Sequence, residues 1–247
     1  MIFSPHGNLG DNLWITPIFR FVKEPIYLYD NFHCRSISSI YNGITDVQFL
    51  DQHIRNFEYD GITHNTIQWL KHLNIEYSNT NIIPFVVITE EEKQWAAQYL
   101  SKYPNPIVII NDNSGNNDPQ NNRSRYVLPN QNMMQSITDE YSKTNTVLQF
   151  GVAPNFYRCG YDGFTPLKNA IHIRGLNIRQ LAACYSIIGK YIGGDTGDYH
   201  LMLAVGGEAT VFIPKESRQM GYIYSNLLYT NSMFGNDKVR VTYYVTQ

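Results

Sequence analysis

Short apolar runs alternate with amphipathic stretches almost from the first residue. Ile2 to Ser4 reads as a short strand, and Leu13, Ile15, Ile18, Phe19 and Val22 then recur at helical spacing. Ile26 to Tyr29 gives a second strand, His33 to Tyr41 a helix and Val47 to Leu50 a third strand. Asn65 to Leu73 is helical, with Ile67, Leu70 and Leu73 on one face. Strands separated by helices predict parallel βαβ units, because parallel neighbours need a crossover and a helix usually provides it.

The pattern changes around Ile82 to Thr89. Thr89-Glu90-Glu91-Glu92 then opens a helix. Its hydroxyl can accept from a free first-turn amide, and carboxylates sit at the positive end of the helix dipole. That helix carries Trp95, Tyr99 and Leu100 and stops near Pro104. A second series follows: a strand at Pro106–Ile110, a polar loop over 111–125, a helix over Asn130–Tyr141, and strands at Thr146–Phe150 and Ala170–Ile173. A helix capped by Asn177 runs to Tyr185, and strands at Ile187–Ile192 and Ala209–Ile213 flank one more helix. The expected class is α/β with two Rossmann-like lobes. The boundary falls within 85–104 and is drawn so that 1–95 is a short first domain and 96–247 the second. Ligands of such sheets bind beyond the C-terminal strand ends, which predicts a site in a cleft between the lobes.

Composition narrows the function. With 247 residues and a net charge of −2, the chain has no basic excess to attract nucleic acid. No apolar run approaches the about 20 residues that span a bilayer, which leaves only peripheral membrane contact open. The start lacks the basic and apolar segments of a signal peptide. Cys34, Cys159 and Cys184 are odd in number and far apart, which predicts reduced thiols in a cytoplasmic setting. No spacing suits a metal, so neither metal nor cofactor is expected.

Candidate chemistry follows strand ends. The most informative is Gly193-Gly194-Asp195-Thr196-Gly197-Asp198-Tyr199-His200, an apolar strand running through glycines into a helix. Free amides and the helix dipole there point at one spot, which suits a phosphate-bearing ligand. Thr196 and Gly197 offer donors, His200 lies one turn on, and Asp195 is placed for a sugar hydroxyl. The competing reading makes Asp195 a helix cap and His200 a core residue. After the first strand comes His6-Gly7-Asn8-Leu9-Gly10-Asp11, where Gly7 and Gly10 permit a turn open to a ligand. Asp11 is either a general base or the cap of the helix that follows. His6 stays undecided. In the loop over 111–125, Ser114 opens the turn, and Arg123 or Arg125 is placed to offset leaving-group charge. Gly151 ends a strand and either lines a nucleoside or simply turns the chain.

Three of these places resemble the bacterial lipopolysaccharide heptosyltransferases, family nine of the glycosyltransferases. Gly10-Asp11-Asn12-Leu13 with Thr16-Pro17 is similar to the family's Gly-Asp-x-Leu-x-x-Thr-Pro. Leu181-Ala182 through Asp195-Thr196-Gly197 and His200-Leu201 is similar to its C-terminal signature, and Pro214 matches a turn proline. The chain departs at Asp198-Tyr199, where the family has a proline–methionine pair, and echoes a Lys-Arg-Trp-Pro segment only loosely in Ser124-Arg125-Tyr126 and Pro129. The resemblance implies a GT-B fold and inverting, metal-independent transfer from a nucleotide-diphosphate sugar, ADP-linked in that family, to a hydroxyl of a glycan, glycolipid or protein. It implies Asp11 as base, Thr196, Gly197 and His200 on the diphosphate, Asp195 on the sugar, and Arg123 or Arg125 near the leaving group. A binding protein without turnover and a nucleotide-sugar epimerase remain alternatives.

Overall fold

A computed structural model describes residues 2–3, 9–52, 54, 65–77, 82–110, 131–151, 165–194, 196–214 and 238–244. The first half carries β1 (Ile2–Phe3), α1 (Leu9–Leu13), β2 (Ile26–Tyr29), α2 (Phe32–Ile37), β3 (Val47–Leu50) and α3 (Asn65–His72). Its three strands are parallel in the order β1-β2-β3. The expected helix through Leu13–Val22 is broken. In an uninterrupted helix the amide of residue 17 would bond to the carbonyl of Leu13, but Pro17 has no N–H. The Thr16 hydroxyl donates to that carbonyl instead, at 2.8 Å, and a 3₁₀ turn over Thr16–Arg20 carries the chain on.

The second half carries α4 (Glu90–Leu100), β4 (Pro106–Ile110), α5 (Gln131–Tyr141), β5 (Thr146–Gly151), β6 (Ile171–Arg174), α6 (Ile178–Ile188), β7 (Lys190–Gly194), α7 (Gly197–Ala204), β8 (Glu208–Pro214) and β9 (Val239–Tyr244). All neighbours are parallel, in the order β6-β5-β4-β7-β8-β9. Counted within this half, that is the 3-2-1-4-5-6 order of doubly wound nucleotide-binding sheets. Both faces are covered. Ile107, Ile109, Val147 and Ile192 pack with Met134 of α5 on one side, while Val108, Leu148 and Tyr191 join the core containing Ala182, Cys184 and Tyr185 of α6 on the other.

Two sequence expectations are corrected here. The strand expected at Ile187–Ile192 starts later. α6 keeps Ile187 and Ile188 and ends at Gly189, whose φ of 70° is left-handed and whose N–H closes on the Tyr185 carbonyl at 2.9 Å. The edge strand β9 was not anticipated, although Val239-Arg240-Val241-Thr242-Tyr243-Tyr244 has the β-branched and aromatic content of a strand.

The segment over 83–89 fastens the two halves together. Ile83 O accepts from Arg20 at 2.7 Å, Phe85 N–H donates to Thr16 Oγ1 at 3.0 Å, and Val86 N–H donates to Ala204 O of α7 at 3.1 Å. Val87 O accepts from Arg179 of α6 at 2.5 Å. Thr89 caps α4 as the sequence predicts and closes a reciprocal capping box with Glu92, and α4 runs unbroken through residues 95 and 96. One apolar core contains Leu13, Ile15 and Ile26 from the first half together with Leu201, Met202 and Val211 from the second.

Candidate functional site

In a sheet of this order the strand connections depart in opposite directions from β4 and β7, so their loops part and leave a crevice at the C-terminal ends. Ile110 and Gly193 are register partners at that point. The glycine pair singled out by sequence ends β7, and Thr196 opens α7 two residues later. Thr196 occupies the N-cap position of α7 with extended backbone (φ −134°, ψ 169°), and its side chain makes no capping hydrogen bond. The amides that open α7 therefore get no cap from that hydroxyl, which suits an anion at this end.

The Thr196 hydroxyl is engaged elsewhere. It lies 3.3 Å from the Tyr191 phenol oxygen, and the Tyr191 proton goes to the Gly194 carbonyl at 2.7 Å. Thr196 and Tyr185 both hydrogen-bond the Asp198 carboxyl, Tyr185 at 3.1 Å. Burial pushes the Asp198 carboxyl above its ordinary range, against the lowering effect of those hydrogen bonds. Burial, and then the neighbouring Asp198 charge, push the Tyr185 phenol well up, so it stays a neutral donor. The Cys184 thiol beside them is pushed up to about 12 by burial alone, which rules out a thiolate nucleophile there.

Against α7 lies α1, from the other half of the chain. Asp11 sits inside α1, two residues after its start, so the capping alternative for Asp11 does not hold. Asn12 is fully buried, and the Tyr41 hydroxyl donates to its side-chain oxygen at 2.9 Å. The two helices approach closely because each sets a glycine against a side chain of the other. A Cβ on Gly10 would stand 3.1 Å from Cδ2 of the His200 ring, and a Cβ on Gly197 would stand 3.0 Å from Cβ of Leu9. The imidazole of His200 is buried between the helices. It meets the Trp14 ring edge-on at 4.8 Å, and Trp14 Nε1–H donates to His200 Nδ1 at 3.2 Å. Sequence reasoning missed Trp14. The only signal was an indole N–H that a buried Trp must satisfy.

Of the residues singled out by sequence, the structure brings Gly10, Thr196, Gly197 and His200 together at the junction of α1 and α7, and Asp11 follows Gly10 on α1. Gly10 and Gly197 serve there as close-packing positions. Gly151 ends β5, two strands from β7, opposite Arg174 of β6. His6, Gly7, Asn8, Ser114, Arg123, Arg125 and Asp195 lie outside the described residues. Among the described residues, no group of three acidic, histidine or cysteine side chains is arranged to hold a metal, and no helix is long and apolar enough to cross a membrane.

Neither protein-family models nor curated protein sequences match this chain. Solved structures do. A glycosyltransferase of family 9 from Veillonella parvula superposes with a TM-score of 0.66 at 13% identity, over 99% of this chain and 85% of that one. The ADP-heptose lipopolysaccharide heptosyltransferase II of E. coli gives 0.65 at 10% identity, over 100% and 90%. E. coli heptosyltransferase WaaC, solved with ADP, gives 0.52 at 10% identity, over 85% and 86%. Parallel three- and six-stranded sheets in this order, matched along nearly the whole chain, give this protein the fold of the family 9 glycosyltransferases.

Proposed function

We propose that this protein is a glycosyltransferase of the heptosyltransferase type. In this reading the two sheets form the two lobes of a GT-B enzyme, with residues 1–95 on the acceptor side and 96–247 on the donor side. One observation carries the reading. The helix N-terminus at the switch point of the six-stranded sheet packs directly on the helix that bears Asp11, which supports a reading in which an anion site and a carboxylate from opposite halves serve one reaction. A nucleotide diphosphate, ADP by analogy with the substrate in the name of the E. coli heptosyltransferase, lies with its phosphoryl oxygens toward Thr196, Gly197 and His200. Asp195 holds the transferred sugar, while Ser114, Arg123, Arg125 and Gly151 border the nucleotide and leaving group.

The reaction is a single displacement with inversion. Asp11 takes the proton of an acceptor hydroxyl on a glycan, glycolipid or protein. The alkoxide attacks the anomeric carbon, the bond to the diphosphate oxygen breaks, and the positive end of α7 stabilises the departing charge. No metal or cofactor takes part, and the enzyme works in the cytoplasm, meeting a membrane only peripherally. Release of nucleoside diphosphate from ADP-, GDP- and UDP-sugars, with and without EDTA, tests this reading. Turnover that survives EDTA with one nucleotide supports it, and absence of binding to every nucleotide sinks it.

A second reading is a nucleotide-sugar-binding protein without turnover. The observation behind it is Asp198, which places a carboxyl in the first turn of the anion-binding helix. Tight donor binding with neither transfer nor hydrolysis would establish that reading.

A further inference from the structure

We propose that a nucleotide diphosphate bound at the start of α7 is taken up together with a proton, that Asp198 is the group that accepts the proton, and that the protein therefore holds its donor more tightly as pH falls. This rests on the function proposed above and concerns the regulation of that same site. The geometry puts the Asp198 carboxyl at the helix end itself. Asp198 is the second residue of α7, and its carboxyl accepts from its own amide, from the hydroxyl of the N-cap Thr196 and from the Tyr185 phenol, the last at 3.1 Å. An anion drawn to this end by the helix dipole therefore comes close to a carboxyl that the same end already holds. Like charges at one place favour the protonated form of whichever group can take a proton. Burial already pushes the Asp198 carboxyl up, so it is the group that yields. The linkage needs no contact between carboxyl and ligand, because a ligand that tightens the proton is tightened by it in turn.

The elements around α7 leave this charge without a counter-charge. From α6 come Tyr185, kept a neutral donor by burial, and the Cys184 thiol, pushed up to about 12. From β7, Tyr191 gives its proton to the Gly194 carbonyl at 2.7 Å and lies 3.3 Å from the Thr196 hydroxyl. β8 brings Glu208, at the opposite end of its strand and 3.9 Å from Lys238. From α1, Leu9 and Gly10 are set against α7, and Asp11, next on that helix, carries the same sign of charge as Asp198. On α7 itself His200 is turned to α1, where Gly10 and Trp14 meet its ring. Among the described residues, no Lys, Arg or His pairs with the Asp198 carboxyl. A proton is thus what relieves the carboxyl when an anion arrives.

Calorimetric titration of ADP in buffers of different ionisation enthalpy counts the protons taken up on binding. It is run across the acid-to-neutral range on the unaltered protein and on Asp198→Asn. The terminal phosphate of ADP and the imidazole of His200 titrate in that range in both proteins, so the difference belongs to residue 198. The unaltered protein should take up more protons than the variant, by up to one per ADP. Its affinity relative to the variant should fall about 10-fold as pH rises through that range, an ordinary size for coupling between two sites. Equal proton counts with parallel affinity profiles overturn the proposal. Tyr185→Phe supplies a second reading and carries the test if Asp198→Asn does not fold. It removes one of the hydrogen bonds that favour the ionised carboxyl, so the pH window of proton uptake should move upward. An unmoved window overturns the proposal as well. ADP binding without a difference at residue 198 sinks the linkage and leaves the anion site standing, whereas no ADP binding by the unaltered protein sinks both.

Discussion

Two helix pairs of the molecule are built on opposite principles. Where α1 meets α7, each helix sets a glycine against a side chain of the other, and the imidazole between them is buried. Where α4 meets α6, the junction is an ion pair. Arg179 donates through Nε to Glu92 at 2.7 Å and through Nη2 to the second carboxylate oxygen, and Nη2 also reaches the Val87 carbonyl. The first junction holds a buried imidazole and a helix N-terminus, beside the helix that bears Asp11. The second has the features of a clamp, with the carboxylate engaged at once by the guanidinium and by the Thr89 amide. If the proposed function holds, closeness serves chemistry at one junction and charge serves rigidity at the other, so substitutions at the two should separate activity from stability.

The largest separation is expected from Asp11→Asn. Removing a general base costs about 10²–10⁴-fold in rate, while ADP affinity and melting temperature should stay close to those of the parent. Single-turnover transfer together with calorimetric titration of ADP checks both. Unchanged transfer would remove Asp11 from the chemistry.

Glu92→Gln should do the reverse. The pair is largely buried, with side chains 26% and 11% exposed, and the substitution leaves the Arg179 guanidinium without its counter-charge. Nη1 of Arg179 is buried without a hydrogen-bond partner, so no other contact on that nitrogen takes up the charge. A loss of about 2–3 kcal/mol is expected, at the lower edge of the range for breaking a buried pair because Glu92 keeps some water. Burial pushes the Glu92 carboxyl up, but the Arg179 and Thr89 hydrogen bonds with the Arg179 charge outweigh it and hold it below the usual range. An acid held low stabilises the fold above its unfolded value, and that contribution fades as pH falls through the folded value. Urea unfolding should therefore show the cost of Glu92→Gln at pH 7 and a shrinking difference in acid. Folded Glu92→Gln protein should bind ADP as the parent does.

Gly197→Ala tests the first junction at smaller scale. The added methyl meets Leu9 at 3.0 Å, so α1 must move away from α7. About 1–2 kcal/mol of stability should be lost, as for modest overpacking, and transfer should fall more than ADP binding because the carboxylate moves while α7 stays on its sheet. Equal losses in both would mean that the two helices shift as a unit.

The sequence made these junctions unequally visible. The capping boxes at Thr89 and Asn177, β4, and the strand–turn–helix at Gly194 to Gly197 are local, so neighbours in sequence suffice to specify them. Asp11 and His200 were legible as chemistry-bearing residues, but not as neighbours across an interface. Trp14 was not singled out, because its partner lies 186 residues away. Arg179 was passed over for the same reason, since its carboxylate lies 87 residues away. The break after Leu13 was readable from Pro17 and went unread because the apolar spacing runs straight through it. β9 was missed because its pairing partner, and not its own periodicity, gives it a place in the sheet.

The smallest expected effect is also the one that distinguishes the two readings of function. Asp198 stands at the open end of α7 with its carboxyl pushed up by burial despite hydrogen bonds from Tyr185 and Thr196. For an acid whose folded value is raised, folding takes up a proton in the window above the ordinary value of 3.8, so its contribution worsens as pH rises through that window. Asp198→Asn removes that dependence. Its carbonyl still accepts from Tyr185, and its amide can donate to the Thr196 hydroxyl once that hydroxyl turns. Stability should rise by up to about 1 kcal/mol at pH 8, on the scale of one buried hydrogen-bond adjustment, and the gain should vanish as pH falls toward the ordinary aspartate range. Removing a negative charge beside the amides of α7 should also tighten ADP. If transfer rises along with affinity, Asp198 only restrains a working enzyme. If affinity rises and transfer stays absent, the carboxyl is not what separates this chain from turnover, and the binding-protein reading gains from the same substitution.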